Sequence, residues 1–364
     1  MAAEGSRSGD GDGLVRICDL AGRPRGTGFV ADELGTVITS HEAVDGLARL
    51  VLHAPGERTC VVTAADVVPL PEADLALVRS RGLGVRPLPV AARDTLATGA
   101  YVRIAAGGWR QARVLARGSR VTYTATDRVH LLPAALQLAI GTDGSDALRL
   151  GGGAAGGPVV DPVTGAVVAV LGTALLPASV GSSEGAPNPF GHRSAGCAVP
   201  LRQVAAADPG GPLAELLDRN AATVPAYGDA LNVAGVLQLT ATSVGSDGPR
   251  AEQRAVERPD VEAEFGAFLA ERGASAAAVL GLVGPPGSGR TTELAALARR
   301  RAVGAAPAPT VWLRGAGLRA ADASVADAVG RALEDAGRIV AASWDEEESE
   351  GAAGGSGGVG LGDI

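Results

Sequence analysis

The sequence predicts a multidomain chain: an all-β N-terminal part joined to the beginning of an α/β part. Two observations carry that expectation. From about Leu14 to Pro200, short apolar runs are broken by Gly, Asp and Pro at close intervals, the pattern of a barrel or sandwich of short strands. After Pro259 helical spacing alternates with a long apolar run, as at the start of a sheet covered by helices. At 364 residues the chain has length for two cores.

In the first part the strand-like runs are Gly28–Ala31, Thr36–Thr39, Arg49–Leu52, Leu75–Val78 and Ala166–Leu171. Gly181–Arg193, rich in Gly, Ser and Pro, reads as a surface loop. Residues 206–257 read as a linker with a short helix near Leu213–Leu217 and an ambiguous apolar run. In the second part Val261, Phe265 and Leu269 fall at helical spacing. Ala276–Val283 has no polar side chain and is expected as a buried parallel strand, followed by a Gly/Pro loop and a helix through Thr291–Ala298. Thr310–Leu313 is expected as a second strand. Ser324 and Asp327 open a helix that Gly337 would end. The expected division is thus 1–13, a flexible terminus; 14–205, the β domain; 206–257, the linker; 258–344, the α/β part; and 345–364, a disordered tail, acidic over Asp345–Glu350 and then Gly-rich.

A net charge of −8 argues against a nucleic-acid partner, because a phosphate backbone calls for a basic face. Apolar residues make up 46% of the chain but aromatics only 3%, so the cores are expected to be built from Val, Leu and Ala. There is no lysine; every fixed cation is arginine, which fits a GC-rich coding bias. The opening residues have no apolar core, so no signal peptide is read, and no apolar run is long enough for a membrane span. Cys18, Cys60 and Cys197 are scattered and odd in number, which suits a reducing cytoplasm. The four histidines show no metal-ligand spacing.

Five segments, in order, resemble the trypsin-like serine peptidases. Gly26-Thr-Gly-Phe-Val30 is similar to the family's opening strand, and Thr36–Val44 to the strand and turn that deliver the histidine. Ala73–Leu77 is similar to the segment carrying the aspartate. Gly153–Pro158 with Val167–Gly172 is similar to the nucleophile loop and its next strand, and Gly196–Pro200 to the final strand. The resemblance covers about residues 14–205 and implies two packed β-barrels with the site between them. Its departures fall on the chemistry. Counted from Thr39, Glu42 stands at the histidine place and His41 is displaced by one residue. Ala155 stands at the serine place with Ala154 before it, and only Asp74 is kept. A methyl group cannot attack a carbonyl, so no cleavage of peptide bonds is expected. The turn around Ala155 remains suited to presenting backbone N–H groups to a carbonyl or an extended peptide.

Gly284-Pro-Pro-Gly-Ser-Gly-Arg-Thr291 approaches the phosphate-loop pattern G-x-x-x-x-G-K-[ST] with two departures. Arg290 holds the lysine place, and the spacing between the key glycines reads one residue short. Gly284, Gly287, Ser288, Gly289, Arg290, Thr291 and Thr292 are the candidate nucleotide-binding residues for ATP or ADP, with Thr291 on Mg²⁺. From Arg258 onward the chain resembles the start of a STAND-type P-loop NTPase, signalling ATPases related to the AAA+ group. That resemblance implies an acid-ended Walker B strand, for which Arg338–Asp345 is a poor candidate. The acid, the sensors and the lid are expected beyond residue 364, the α/β domain being truncated here. The reading is a cytoplasmic, ATP-binding signalling protein. Its catalytically inactive barrel domain recognises a protein or peptide, with no nucleic-acid or membrane partner and with nucleotide-dependent self-association of the full-length protein. The alternatives are an ATP-regulated serine-type endopeptidase and a P-loop ATPase with an inert barrel.

Overall fold

The computed structural model describes residues 13–93, 96–141, 153–178, 195–247, 258–270, 279–303 and 307–353. The chain forms two compact units that meet at Gly235 and Val236.

The first unit holds two β-sheet bodies. Strands β1 (Leu14–Cys18), β2 (Pro24–Val30), β3 (Thr36–Thr39), β4 (Arg49–His53), β5 (Thr59–Thr63), β6 (Val67–Leu70) and β7 (Leu75–Arg79) make an antiparallel sheet in the order β5-β4-β1-β2-β3-β7-β6. Only the turn Ala64–Asp66 separates β5 from β6, which stand at opposite edges of that order. So short a link spans on the order of 14 Å, and the sheet must curl back toward itself. The second sheet comprises β8 (Tyr101–Ala105), β9 (Trp109–Thr124), β10 (Val129–Ile140), β11 (Pro158–Val160), β12 (Val167–Gly172), β13 (Leu176–Pro177) and β14 (Ala195–Pro200). Its order is β10-β14-β12-β11-β8-β9-β13, and a further pairing of β9 with β10 closes the ring. Closure leaves no unpaired edge within the ring.

The strands form where alternation gives one apolar face. Val15 and Ile17 point inward while Arg16 between them is exposed. Each barrel has its own core, one around Ile17, Leu50 and Leu52 and one around Ile104, Leu136 and Leu171. A third cluster joins the two, with Phe29, Ile38 and Leu75 from the first sheet against Tyr123, Leu132 and Val199 from the second.

Helix α1 (Leu201–Ala207) follows β14 directly, and α2 (Pro212–Thr223) lies beyond. Pro212 suits the first turn of α2, where its missing N–H has no partner to lose. Leu213, Leu216, Leu217 and Asn220 share its buried face, and the three leucines complete the joining core. The described part of the segment expected as a linker, residues 206–247, is therefore largely helical. Its ambiguous apolar run is α3 (Val233–Asp247), where the hydroxyls of Thr240 and Thr242 bond back to the carbonyls of Val236 and Gln238.

In the second unit α4 (Pro259–Ala270), α5 (Arg290–Val303) and α6 (Val325–Ala353) form, and no strand forms among the described residues. The α/β sheet expected here therefore has no described strand, and residues 271–278 lie outside the described residues. The described part of the Ala276–Val283 run has no regular structure, with Val279 83% and Val283 93% exposed. Thr310–Leu313 is likewise irregular. A parallel strand needs neighbours on both sides for its backbone groups, and none is found beside these runs among the described residues. Helix α6 begins where Asp327 accepts the N–H of Ser324 but runs through Gly337 to Ala353. It takes in the Walker B candidate Arg338–Asp345 and the acidic run expected to be disordered. One interior glycine costs a helix only about 1 kcal/mol, less than the packing of Ala336 and Val340 on either side returns. The termini 1–12 and 354–364 and the expected loop Gly181–Arg193 lie outside the described residues. No described helix is long and apolar enough to cross a membrane.

Candidate functional site

The five peptidase-like segments converge where the two barrels meet. Ser40 follows β3, and His41–Ala43 form a single 3-10 turn. Asp74, at the end of another short turn, adopts the left-handed conformation (φ 48°), which aims its carboxylate back at that first turn. Its Oδ1 accepts the backbone N–H of Glu42 at 3.1 Å. The Gly153–Pro158 loop closes the third side. Thr27 N–H donates to the Ala155 carbonyl at 2.7 Å, and Gly156 N–H to the Leu171 carbonyl at 2.8 Å. Gly156 is required twice over. Its φ is +82°, and a Cβ there would collide with the Thr39 hydroxyl, the Thr27 carbonyl and the Ser40 nitrogen. Glu42, Asp74 and Ala155 thus lie in one small region.

The side chains face different ways. Both oxygens of Glu42 are taken: Oε1 by the Thr173 hydroxyl at 2.6 Å, and Oε2 by the N–H groups of Thr173 at 3.2 Å and Ala174 at 2.9 Å. His41 is turned elsewhere, its Nδ1 2.8 Å from the Tyr123 hydroxyl and its ring edge-on to the phenol. Burial holds the His41 pKa below its ordinary value, although Asp45 pulls it upward. Tyr123 also stacks on His130, and burial with the nearby Asp74 carboxyl pushes its pKa up. Asp45 accepts the N–H and hydroxyl of Thr126, tying the β9–β10 turn to the segment after His41.

Asp74 is fully buried, and its Oδ2 has no partner among the described residues. Burial raises its pKa well above the carboxylate range, outweighing the N–H of Glu42 that pulls it down. A folded-state pKa above the unfolded one means the native state binds the extra proton. The stability this brings is complete below about pH 4 and is lost as pH climbs toward the folded pKa. Asp74→Asn keeps an acceptor for Glu42 and removes the proton uptake. Its stability relative to the parent should rise with pH through that window, by up to about 1.4 kcal/mol per pH unit. Urea melts of both proteins at pH 4 and pH 7 check this, and a constant difference between them would refute it.

Sequence reading missed Tyr123, Thr173 and Ala174. The contact from Glu42 to Thr173 spans 131 positions, and only the fold brings such groups together.

In the second unit the phosphate-loop candidates sit at the start of α5. The spacing expected to be short is not: four residues, Pro285 to Ser288, separate Gly284 from Gly289. Arg290 is the pattern's one departure. Gly287 and Gly289 have φ of 82° and 81°, open to glycine alone at low cost. Arg290, Thr291 and Thr292 form the first helical turn, whose N–H groups have no intrahelical acceptor. The Ser288 hydroxyl oxygen is buried and has no partner among the described residues. Arg258 approaches the loop from the start of α4, 3.4 Å from the Ser288 carbonyl and 3.9 Å from the buried Glu293. These residues fit a phosphate group. The described part of the strand expected before them, Val279–Val283, is irregular.

Residues 26–170 match the family model of the trypsin-like peptidase domain. Solved structures with likeness include the Rv3671c protease of M. tuberculosis. In its inactive form the identity is 22%, the TM-score is 0.37, and the match covers 56% of this chain and 92% of that one. In its active form the identity is again 22%, the TM-score is 0.40, and the match covers 62% and 88%. Among curated proteins nothing matches the chain. The first unit therefore carries a trypsin-like protease-fold domain.

Proposed function

With a trypsin-like peptidase domain as its first unit, we propose that this domain binds a protein or peptide without cleaving it. The carrying observation is Ala155. Its loop is packed as a nucleophile loop would be, with its carbonyl on Thr27, yet the position offers only a methyl group. Losing the nucleophile costs on the order of 10⁶ in rate in the serine peptidases. Glu42 does not replace the missing base, because both its oxygens are committed to Thr173 and Ala174. The test is a fluorophosphonate probe with casein and fluorogenic peptides as substrates. Neither labelling nor turnover is expected, and stoichiometric labelling of any serine in residues 14–205 would overturn the reading.

The loop Gly284–Thr292 favours a second role, the binding of ATP or ADP with Mg²⁺ by a signalling protein that self-associates in a nucleotide-dependent way. When bound, the nucleotide would supply the switch between states. The first-turn N–H groups and Arg290 would hold its phosphates, and Thr291 would offer its hydroxyl to Mg²⁺. A guanidinium neutralises phosphate as lysine does, but it is wider and forked. Arg290→Ala should weaken triphosphate binding about ten- to a hundredfold, the worth of one charge-assisted contact. Arg290→Lys should bind as well as the parent or better. Titration with a fluorescent nucleotide decides it, and equal binding by Arg290→Ala would leave the loop as a turn. A reducing cytoplasm is the proposed location, supported by the odd number and scattered placing of Cys18, Cys60 and Cys197.

A further inference from the structure

We infer that Thr173 and Ala174 form a carboxylate-binding site beside the Ala155 loop, filled in cis by Glu42, which blocks an incoming carboxylate until it is displaced. The inference rests on the reading of this domain as a peptide-binding module and names the group it binds. Two adjacent backbone N–H groups converge on one Glu42 oxygen, at 3.2 and 2.9 Å, and a hydroxyl meets the other at 2.6 Å. Successive N–H groups pointing into one concavity, completed by a hydroxyl, are the donor set that suits an anion with two oxygens.

The cradle lies just past the end of β12, where the strand leaves the barrel. Leu171, two residues earlier, accepts the Gly156 N–H and donates its own N–H to the Gly157 carbonyl. Gly172 is packed against Asp74 so closely that a Cβ there would sit 2.8 Å from Oδ2. The donors therefore border the loop that carries Ala155.

Glu42 is suited to leave. Its backbone is fixed by Asp74, but its side chain is only half-buried, so rotation about its own bonds uncovers the three donors. A peptide bearing a carboxylate, as an acidic side chain or as its C-terminus, presents the same two oxygens and competes for the same atoms.

Acetate is the probe, added to the full chain and followed by the amide NMR shifts of Thr173 and Ala174 and by the melting temperature. Glu42→Ala should bind acetate at least about tenfold more tightly than chloride, shifting both amides; the parent should not. In Glu42→Gln the amide oxygen can take both N–H groups and its NH₂ can donate to the Thr173 hydroxyl, so the cradle should stay closed to acetate. Adding Thr173→Val to Glu42→Ala should weaken acetate about tenfold. In the Glu42→Ala protein, a short peptide with a free C-terminus and an amidated one with an internal Glu separate the two sources. If Glu42→Ala does not fold, amide exchange in the parent against Thr173→Val supplies the answer: faster exchange at Ala174 supports the cradle, and unchanged exchange refutes it. No acetate effect in a folded Glu42→Ala protein would also refute it. Turnover of a peptide would instead refute the non-cleaving reading and leave the acetate result standing.

Discussion

Glu42→His combined with Ala155→Ser should hydrolyse an activated ester or fluorogenic peptide, and neither change alone should exceed the parent. Ala155→Ser alone supplies a hydroxyl with no base to take its proton. Glu42 is bound through both oxygens to Thr173 and Ala174, and His41 is turned onto the Tyr123 hydroxyl. Glu42→His alone supplies a base with nothing to activate. Together they meet an orienting group already in place. Asp74 holds the backbone of residue 42 through Oδ1, and its Oδ2 is buried without a partner, so an imidazole N–H entering there gains an acceptor it does not share. A general base is worth about 10² to 10⁴ in rate. The double variant should therefore exceed either single variant by at least about a hundredfold and should label with fluorophosphonate at position 155. Equal inactivity of all three would show that residue 42 does not point a side chain at residue 155. Activity in Ala155→Ser alone would show that Glu42 or His41 reaches it after all.

The legible part of the site was what lies in short runs. Gly26–Val30, Thr36–Thr39 and Leu75–Val78 carry strand alternation and turn residues within a few positions, and β2, β3 and β7 formed there. Their order was enough to place Glu42, Asp74 and Ala155 together. The partners of those residues were not legible. Nothing near Thr173 marks it as a ligand of Glu42, and Tyr123 sits in a long hairpin whose alternation is ordinary. The sheet expected in the second unit has no strand among the described residues for a related reason. Val279–Val283 has a strand's composition, but composition does not provide neighbouring strands, and an apolar run without them stays irregular and exposed. For α6 the local stop signal at Gly337 was real but weak, and packing along the helix overrode it.

Asn220→Ala should lower the stability of the first unit more than any surface change, by about 3–5 kcal/mol. The segment between β7 and β8 crosses from one barrel to the other. It is stitched to the first sheet by the Leu88 N–H on the Val30 carbonyl and to the second by Val90 and Ala91 beside Val167. Asn220 of α2 holds its middle. The amide NH₂ donates to the carbonyls of Ala31 at 2.7 Å and Leu88 at 2.9 Å, and the amide oxygen accepts the Val90 N–H at 2.8 Å. Asn220 is wholly buried, so water cannot replace what an alanine removes, and each orphaned backbone group costs about 1–3 kcal/mol. For a unit of this size the melting temperature should fall by about 10 °C. Asn220→Asp should be at least as damaging, because it keeps the acceptor for Val90 but turns a carboxylate oxygen toward two carbonyls. Arg219→Ala is the control. Its ion pair with Asp32, at 3.3 Å, is 45% exposed on the arginine side and should be worth under about 1 kcal/mol. The loss should also reach the cleft, because Ala31 directly follows β2, the strand whose Thr27 holds the Ala155 carbonyl. Thermal melts of the three variants, with amide exchange at Thr27, measure both effects. A melting temperature for Asn220→Ala within about 2 °C of the parent would mean that this three-bond clamp does not hold the barrels together.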